Sequence, residues 1–300
     1  VITRAPPKKI QAGLELGSAG AIWGFGFIVT VWILPYVGPV WISAFRFFFA
    51  AFLVGLASLF FPNLRKRFAK ADFFNSVIPA AALALMLVLQ TAGLRYTSAT
   101  NSGFITTLYV VLVPLLQMIF TRKRISLWIF FLIIVALLGT ALVARFEAGQ
   151  WNIGDLLTLG CAFAAALHIL AIDRFASGAR SPLSLNTFQS FWGAVFCVPL
   201  ALRLDSFPAF PMPSIAWAGL VYLTVISTMI AFLIQIRAQR VLGPVTASLL
   251  FLLESPFSAI FAYIFLKDQL TPTQWLGGAL ILVSAALCIL RPEPQAKMIH

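Results

Sequence analysis

Charge is what this sequence has least of. Of its 300 residues only 10% are charged, and nine are acidic. A water-soluble domain carries about 25% charged residues, so this chain has too little polar surface to cover a globule. Histidine is almost missing, and the three cysteines, Cys161, Cys197 and Cys288, all sit inside apolar stretches. No disulfide framework or metal-ligand spacing can be built from them, and they read as small buried hydrophobes. With no nucleophile–base pair, carboxylate pair or ligand set at apolar depth, an enzyme is not expected; neither is a metal or any other cofactor. Disorder is excluded by the opposite excess, 29 Phe, 8 Trp and 5 Tyr. Arg4, Lys8 and Lys9 lead into a long apolar run without a cleavage pattern, so no signal peptide is expected.

What is present is apolar sequence in long runs, 61% of the chain. Hydropathy between breakers predicts ten membrane helices, at 12–34, 39–61, 73–93, 98–120, 126–145, 154–173, 184–202, 213–235, 243–265 and 272–290. Each is about the 20 residues needed to cross a bilayer. The fold class expected is therefore an all-α polytopic membrane protein. The net charge of +12 does not mark a nucleic-acid binder, which would gather its basic residues on one face of a soluble fold. Here they lie in short runs between spans. One side holds Arg4, Lys8, Lys9, Arg65, Lys66, Arg67, Lys70, Arg122, Lys123, Arg124, Arg174, Arg180, Arg237, Arg240, Arg291 and Lys297; the other holds Arg95, Arg145, Arg203 and Lys267. Lys and Arg stay cytoplasmic, so both termini are expected inside a multi-pass protein of the inner membrane. Its partners are then the lipid bilayer and a small-molecule substrate, with no nucleic acid, and the chain would act as a monomer or a loose homodimer.

The two halves repeat. Gln90 and Arg95 match Gln235 and Arg240 (235 − 90 = 145), and Pro39 matches Pro182 (182 − 39 = 143). A repeat of five spans is odd in number, so its copies enter the membrane from opposite sides. This predicts an inverted repeat, residues 1–148 and 149–300, with a substrate site between the copies near the midplane.

Several short motifs then occur in order: Ala21-Ile22-Trp23-Gly24, Ala44-Phe45-Arg46-Phe47, Tyr96-Thr97-Ser98-Ala99, Leu108-Tyr109-Val110-Val111-Leu112-Val113-Pro114, Leu253-Glu254-Ser255-Pro256 and Leu266-Lys267-Asp268-Gln269-Leu270-Thr271. With ten spans in a five-plus-five duplication, the chain resembles the EamA-type permeases of the drug/metabolite transporter superfamily over nearly its whole length. The resemblance implies a central cavity with the fifth and tenth spans as peripheral scaffold. A glutamate common in that family after the fourth and ninth spans is replaced by Lys123 and Asp268.

Ionisable groups at bilayer depth are costly, and so mark candidate sites. Three qualify: Arg46, His168 and Glu254. Arg46, whose counterpart in the seventh span is Gln189, can meet a substrate carboxylate, bond backbone carbonyls or snorkel to the interfacial water. Glu254 can meet a substrate ammonium or stabilise a kink at Pro256. His168 can contact substrate, titrate, or simply pack. Helix kinks are expected at Pro79, Pro114 and Pro256. Trp23, Met86, Gln90, Asn101, Tyr109, Trp192, Tyr222 and Thr224 complete the cavity candidates, about half of them expected to line it. Gly13, Gly17, Gly20 and Gly24 form a small-residue ladder for close helix packing, as do Gly277 and Gly278.

A nearly neutral, aromatic cavity points to a secondary transporter that exports small metabolites by alternating access. Among the permeases it resembles, the aromatic amino acid exporters fit best. A sugar-phosphate or nucleotide-sugar carrier is the alternative, and should present several cavity cations where only Arg46 is clearly intramembrane. A channel lacks a ring of like residues to act as a filter.

Overall fold

The computed structural model describes residues 7–97, 99–121, 126–144, 152–267 and 269–290. Arg4, Arg122, Lys123, Arg124, Arg145, Asp268, Arg291, Lys297 and the expected boundary between residues 148 and 149 lie outside the described residues. The chain crosses the membrane as ten helices in two five-helix repeats. Among the described residues, nine are long and apolar enough to span by themselves, and the fifth, Leu127–Ala144, is shorter.

The first span is Pro7–Ile33, the second Pro39–Phe60 and the sixth Ile153–Ala176. The seventh is Pro182–Leu204 and the tenth Pro272–Leu290. The second, seventh and tenth start on a proline, whose missing N–H falls on a group the first turn leaves unpaired anyway. Asn152 caps the sixth span, and a reciprocal bond joins Asp155 to the Asn152 N–H. The second span has no side-chain cap of its own. Instead Asp205, just past the end of the seventh, accepts from Val40 N at 2.7 Å and Trp41 N at 3.4 Å, with Arg95 at 3.8 Å. One carboxylate therefore ties the second span to the opposite repeat. Asp205→Ala should cost about 1–2 kcal/mol, read as a lower unfolding temperature in detergent; an unchanged temperature would contradict this role.

Four spans are not plain α-helices. The third runs Lys70–Asn75 and Val77–Gly93, interrupted at Ser76. The fourth runs Ala99–Thr106 and Tyr109–Thr121, the ninth Pro244–Phe251 and Glu254–Leu266. The kinks expected at Pro79, Pro114 and Pro256 lie upstream of those prolines. Each proline withholds a donor from the carbonyl four residues earlier and crowds that turn, so Pro256 acts on Leu252 and Pro79 on Asn75. The fourth-span break needs a further cause. The Thr107 hydroxyl donates to the Phe104 carbonyl at 2.6 Å and competes for the helical acceptor.

The two broken spans match at the offset read from the glutamines: Ala99–Thr106 falls on Pro244–Phe251 and Tyr109–Thr121 on Glu254–Leu266 (244 − 99 = 145). Tyr109 and Glu254 are thus equivalent, each opening the second half of a broken helix. The prolines are not equivalent, so the repeat preserves the break and not the residue beside it. The eighth span, expected as one α-helix, is Ser214–Val221 and Phe232–Leu242 around a π-helix, Tyr222–Ala231. There Thr228 Oγ1 donates to the Leu223 carbonyl five residues back, at 2.7 Å. Long π segments are rare and gather at functional positions.

Close approach comes from glycine. The tenth span lies on the fifth where the Gly139 and Gly277 backbones touch. The first span lies on the ninth along Gly17, Gly20 and Gly24, while Gly13 faces Ile289 of the tenth. Small residues at these crossings let backbones approach where no hydrophobic force drives helices together.

Candidate functional site

Among the described residues, seven spans line a central cavity, to which the fifth, seventh and tenth contribute none. Its volume is about 670 Å³, including the space open at its mouth. The first span contributes Trp23, Phe27 and Thr30; the third, Met86 and Gln90; the fourth, Thr106 and Tyr109. Across from them stand His168 of the sixth span, Ser227, Phe232 and Gln235 of the eighth, and Phe251 and Glu254 of the ninth. The rings pack in edge-on and tilted pairs, the preferred geometries for aromatic quadrupoles. Trp23 lies 5.2 Å from Phe232 and 5.3 Å from Phe251, and His168 stands edge-on to Phe232 at 5.7 Å.

Arg46 enters the wall from the second span. Its position two turns in, together with the π winding opposite, brings its Nε to Thr228 Oγ1 at 2.7 Å and its Nη2 to Ser227 Oγ at 2.9 Å. Among the described residues the side chain makes no further hydrogen bond, so Nη1 is uncommitted there. The side chain is 5% exposed, and its partners are hydroxyls of the opposite repeat, neither the backbone carbonyls nor the interfacial water that the sequence also allowed. Glu254 sits at the start of its half-helix, where the peptide dipoles favour a negative charge. Among the described residues neither Arg46 nor Glu254 belongs to an ion pair. His168 is 2% exposed and its Nε2 meets Gln189 Oε1 at 3.3 Å. Because an amide oxygen only accepts, this contact sets Nε2 as the protonated nitrogen.

The cavity brings together His168, Glu254, Trp23, Met86, Gln90, Tyr109 and Arg46. Three candidates lie elsewhere. Trp192 turns away, giving its Nε1–H to the Phe73 carbonyl at 2.8 Å within a cluster of phenylalanines. Tyr222 donates to the Ile22 carbonyl at 2.8 Å and faces a second, apolar groove with Phe25, Phe261 and Phe265. Thr224 is buried on the eighth span outside the cavity lining. The side chain of Asn101 lies outside the described residues.

Sequence reasoning missed Thr30, Thr106, Ser227, Phe27, Phe232, Phe251 and Gln235. Gln235 was within reach as the repeat mate of Gln90, and the run of hydroxyls at Thr224, Ser227 and Thr228 marked an unusual stretch of the eighth span. The three phenylalanines are lost among 29. Among the described residues no cluster of His, Cys, Asp or Glu is placed to hold a metal ion.

Comparison with known proteins agrees in one direction. The profile of the EamA-like transporter family matches residues 16–145 and again 152–290. An uncharacterized transporter of Archaeoglobus fulgidus is 30% identical over 289 residues, covering 95% of this chain and 87% of its own length. The uncharacterized transporter YetK of Bacillus subtilis is 25% identical, covering 96% and 90%. A protein of known crystal structure shares the fold with a TM-score of 0.73 at 16% identity, over 93% of this chain and 95% of that one.

Proposed function

The chain belongs to the EamA-like transporter family and is a multi-pass membrane transporter; from that premise we propose that it exports amino acids, aromatic or amphipathic ones, across the inner membrane. One observation carries the reading: among the described residues a single arginine and a single carboxylate line the same aromatic cavity without pairing with each other. An unpaired charge at bilayer depth costs several kcal/mol. A zwitterion supplies what both lack, its carboxylate to Arg46 and its ammonium to Glu254. Trp23, Phe27, Phe232 and Phe251 offer ring faces and edges to the side chain between them. The two broken spans meet the cavity at Tyr109 and Glu254, the positions where a repeat-based carrier would rock between inward and outward access. A sugar phosphate carries two negative charges at neutral pH, and Arg46 is the one cation among the lining residues. Both termini on the cytoplasmic side accord with the basic loops.

The test is counterflow. Purified protein in liposomes loaded with unlabelled phenylalanine should accelerate entry of labelled phenylalanine, while sugar phosphates inside should not. If phenylalanine inside fails to accelerate entry and a sugar phosphate does, the amino-acid reading is wrong. Glu254→Gln keeps the shape and removes the charge, and should lower phenylalanine counterflow about tenfold, the loss of one charged hydrogen bond. The deaminated acid, 3-phenylpropionate, should be unaffected by that change; an equal loss for both compounds would remove Glu254 from the ammonium site.

A further inference from the structure

The seventh span does not line the cavity, yet it carries a dense polar cluster immediately behind it. Asn186 and Gln189 are three residues apart on this helix and both are buried. Asn186 Nδ2 donates to two carbonyls of the π-helix, Thr228 at 3.3 Å and Met229 at 3.0 Å. Its Oδ1 accepts from Gln189 Nε2 at 2.9 Å, which fixes which way the amide faces. Gln189 is held in turn by His168. On the other side of the π-helix, Thr228 Oγ1 accepts from Arg46 Nε and donates to the Leu223 carbonyl. Thr228 is therefore gripped twice, through its carbonyl by Asn186 and through its hydroxyl by Arg46. π winding displaces carbonyls from their α-helical partners, and within a bilayer no water is available to satisfy them.

We propose that Asn186 is a positioning residue for Arg46. By holding the Thr228 and Met229 carbonyls it fixes the Thr228 hydroxyl against the guanidinium, and so presents the uncommitted Nη1 to the carboxylate end of the substrate. The identity of that substrate rests on the amino-acid reading above; the coupling between Asn186 and Arg46 does not. The second repeat thus supplies, from behind the wall, the alignment of the first repeat's one cavity cation. Gln189 in this cluster is the repeat counterpart of Arg46 (189 − 46 = 143), so the two equivalent positions have diverged into a charge and a member of its support.

Two measurements test this. The first needs no substrate: unfolding temperatures of Asn186→Leu, Arg46→Gln and the double variant. Coupling predicts that Asn186→Leu lowers the temperature less when Arg46 is already gone; additive effects overturn the proposal. The second is transport of phenylalanine against phenylalanine amide, which lacks the carboxylate. Asn186→Leu should reduce the preference for the acid on the order of tenfold while amide transport is kept. Equal loss of both compounds would mean a merely structural role and overturns the proposal. If the wild-type protein carries neither compound, the amino-acid reading fails and the thermal coupling alone decides for or against positioning. Should Asn186→Leu not reach the membrane, Asn186→Ala removes the same amide with less bulk, and the same two outcomes apply.

Discussion

Arg46→Gln should reduce transport of a zwitterionic amino acid by roughly 10- to 100-fold, the scale of a buried charge-assisted hydrogen bond to a carboxylate. The substitution is a mild one for the fold. Glutamine already stands at the equivalent position of the other repeat, residue 189, where it is fully buried and bonded on both sides. In the Arg46 pocket its amide can still reach toward Ser227 or Thr228. What it cannot supply is the positive charge or the forked donor set. Arg46→Lys separates those two: it restores charge without the planar fork, and lysine cannot occupy both hydroxyls while presenting a further amine in the same geometry. The expected order is wild type above Arg46→Lys above Arg46→Gln, measured as initial uptake into proteoliposomes at substrate concentrations below saturation. The amide analogue should show no such order. Wild-type rates for phenylalanine in Arg46→Gln would remove the carboxylate site from Arg46 and leave the arginine as a brace for the π-helix.

The features that were legible in the sequence are those that depend on chain length and on pairs of residues. Ten apolar runs set the number of spans, because bilayer thickness fixes how many residues a crossing needs. The spacing of 145 from Gln90 to Gln235, read from the third and eighth spans, also relates the breaks of the fourth and ninth, although the kinks themselves were expected at Pro114 and Pro256. The faces of the helices were not legible. In a soluble protein a polar stripe marks the outside of a helix; here lipid-facing and cavity-facing sides are both apolar, so nothing in the pattern tells them apart. That is why Trp192 and Tyr222 were expected in the cavity and instead bond the Phe73 and Ile22 carbonyls, and why Phe232 and Phe251 were not expected there. The π-helix was hidden for a related reason. It is accompanied by a hydroxyl, Thr228, bonding five residues back, and helix propensity cannot distinguish that from an ordinary threonine on an α-helix.

The glycine ladder of the first span leads to the other large effect. As a sequence pattern Gly13, Gly17, Gly20 and Gly24 are interchangeable small residues, but the structure makes them unequal. A Cβ at Gly17 would find only the Leu253 Cδ1 methyl at 3.5 Å, an ordinary contact. At Gly24 it would stand 2.9 Å from both the Glu254 carbonyl oxygen and the Ser258 amide nitrogen, with Phe257 Cβ at 3.0 Å. Those are mainly backbone atoms of the ninth span just beyond its break, and backbone cannot rotate away as a side chain can. Gly24→Val must therefore push the first span off the ninth, at a cost of about 1–3 kcal/mol or more, and lower the unfolding temperature clearly below that of Gly17→Ala. The same displacement moves Glu254 away from Trp23 on the facing helix, so transport should fall even at temperatures where the variant remains folded. Gly17→Ala should keep both stability and transport. Equal tolerance at the two positions would mean that the first and ninth spans do not meet backbone to backbone at Gly24, and with that the placement of Glu254 in the cavity wall would lose its structural basis.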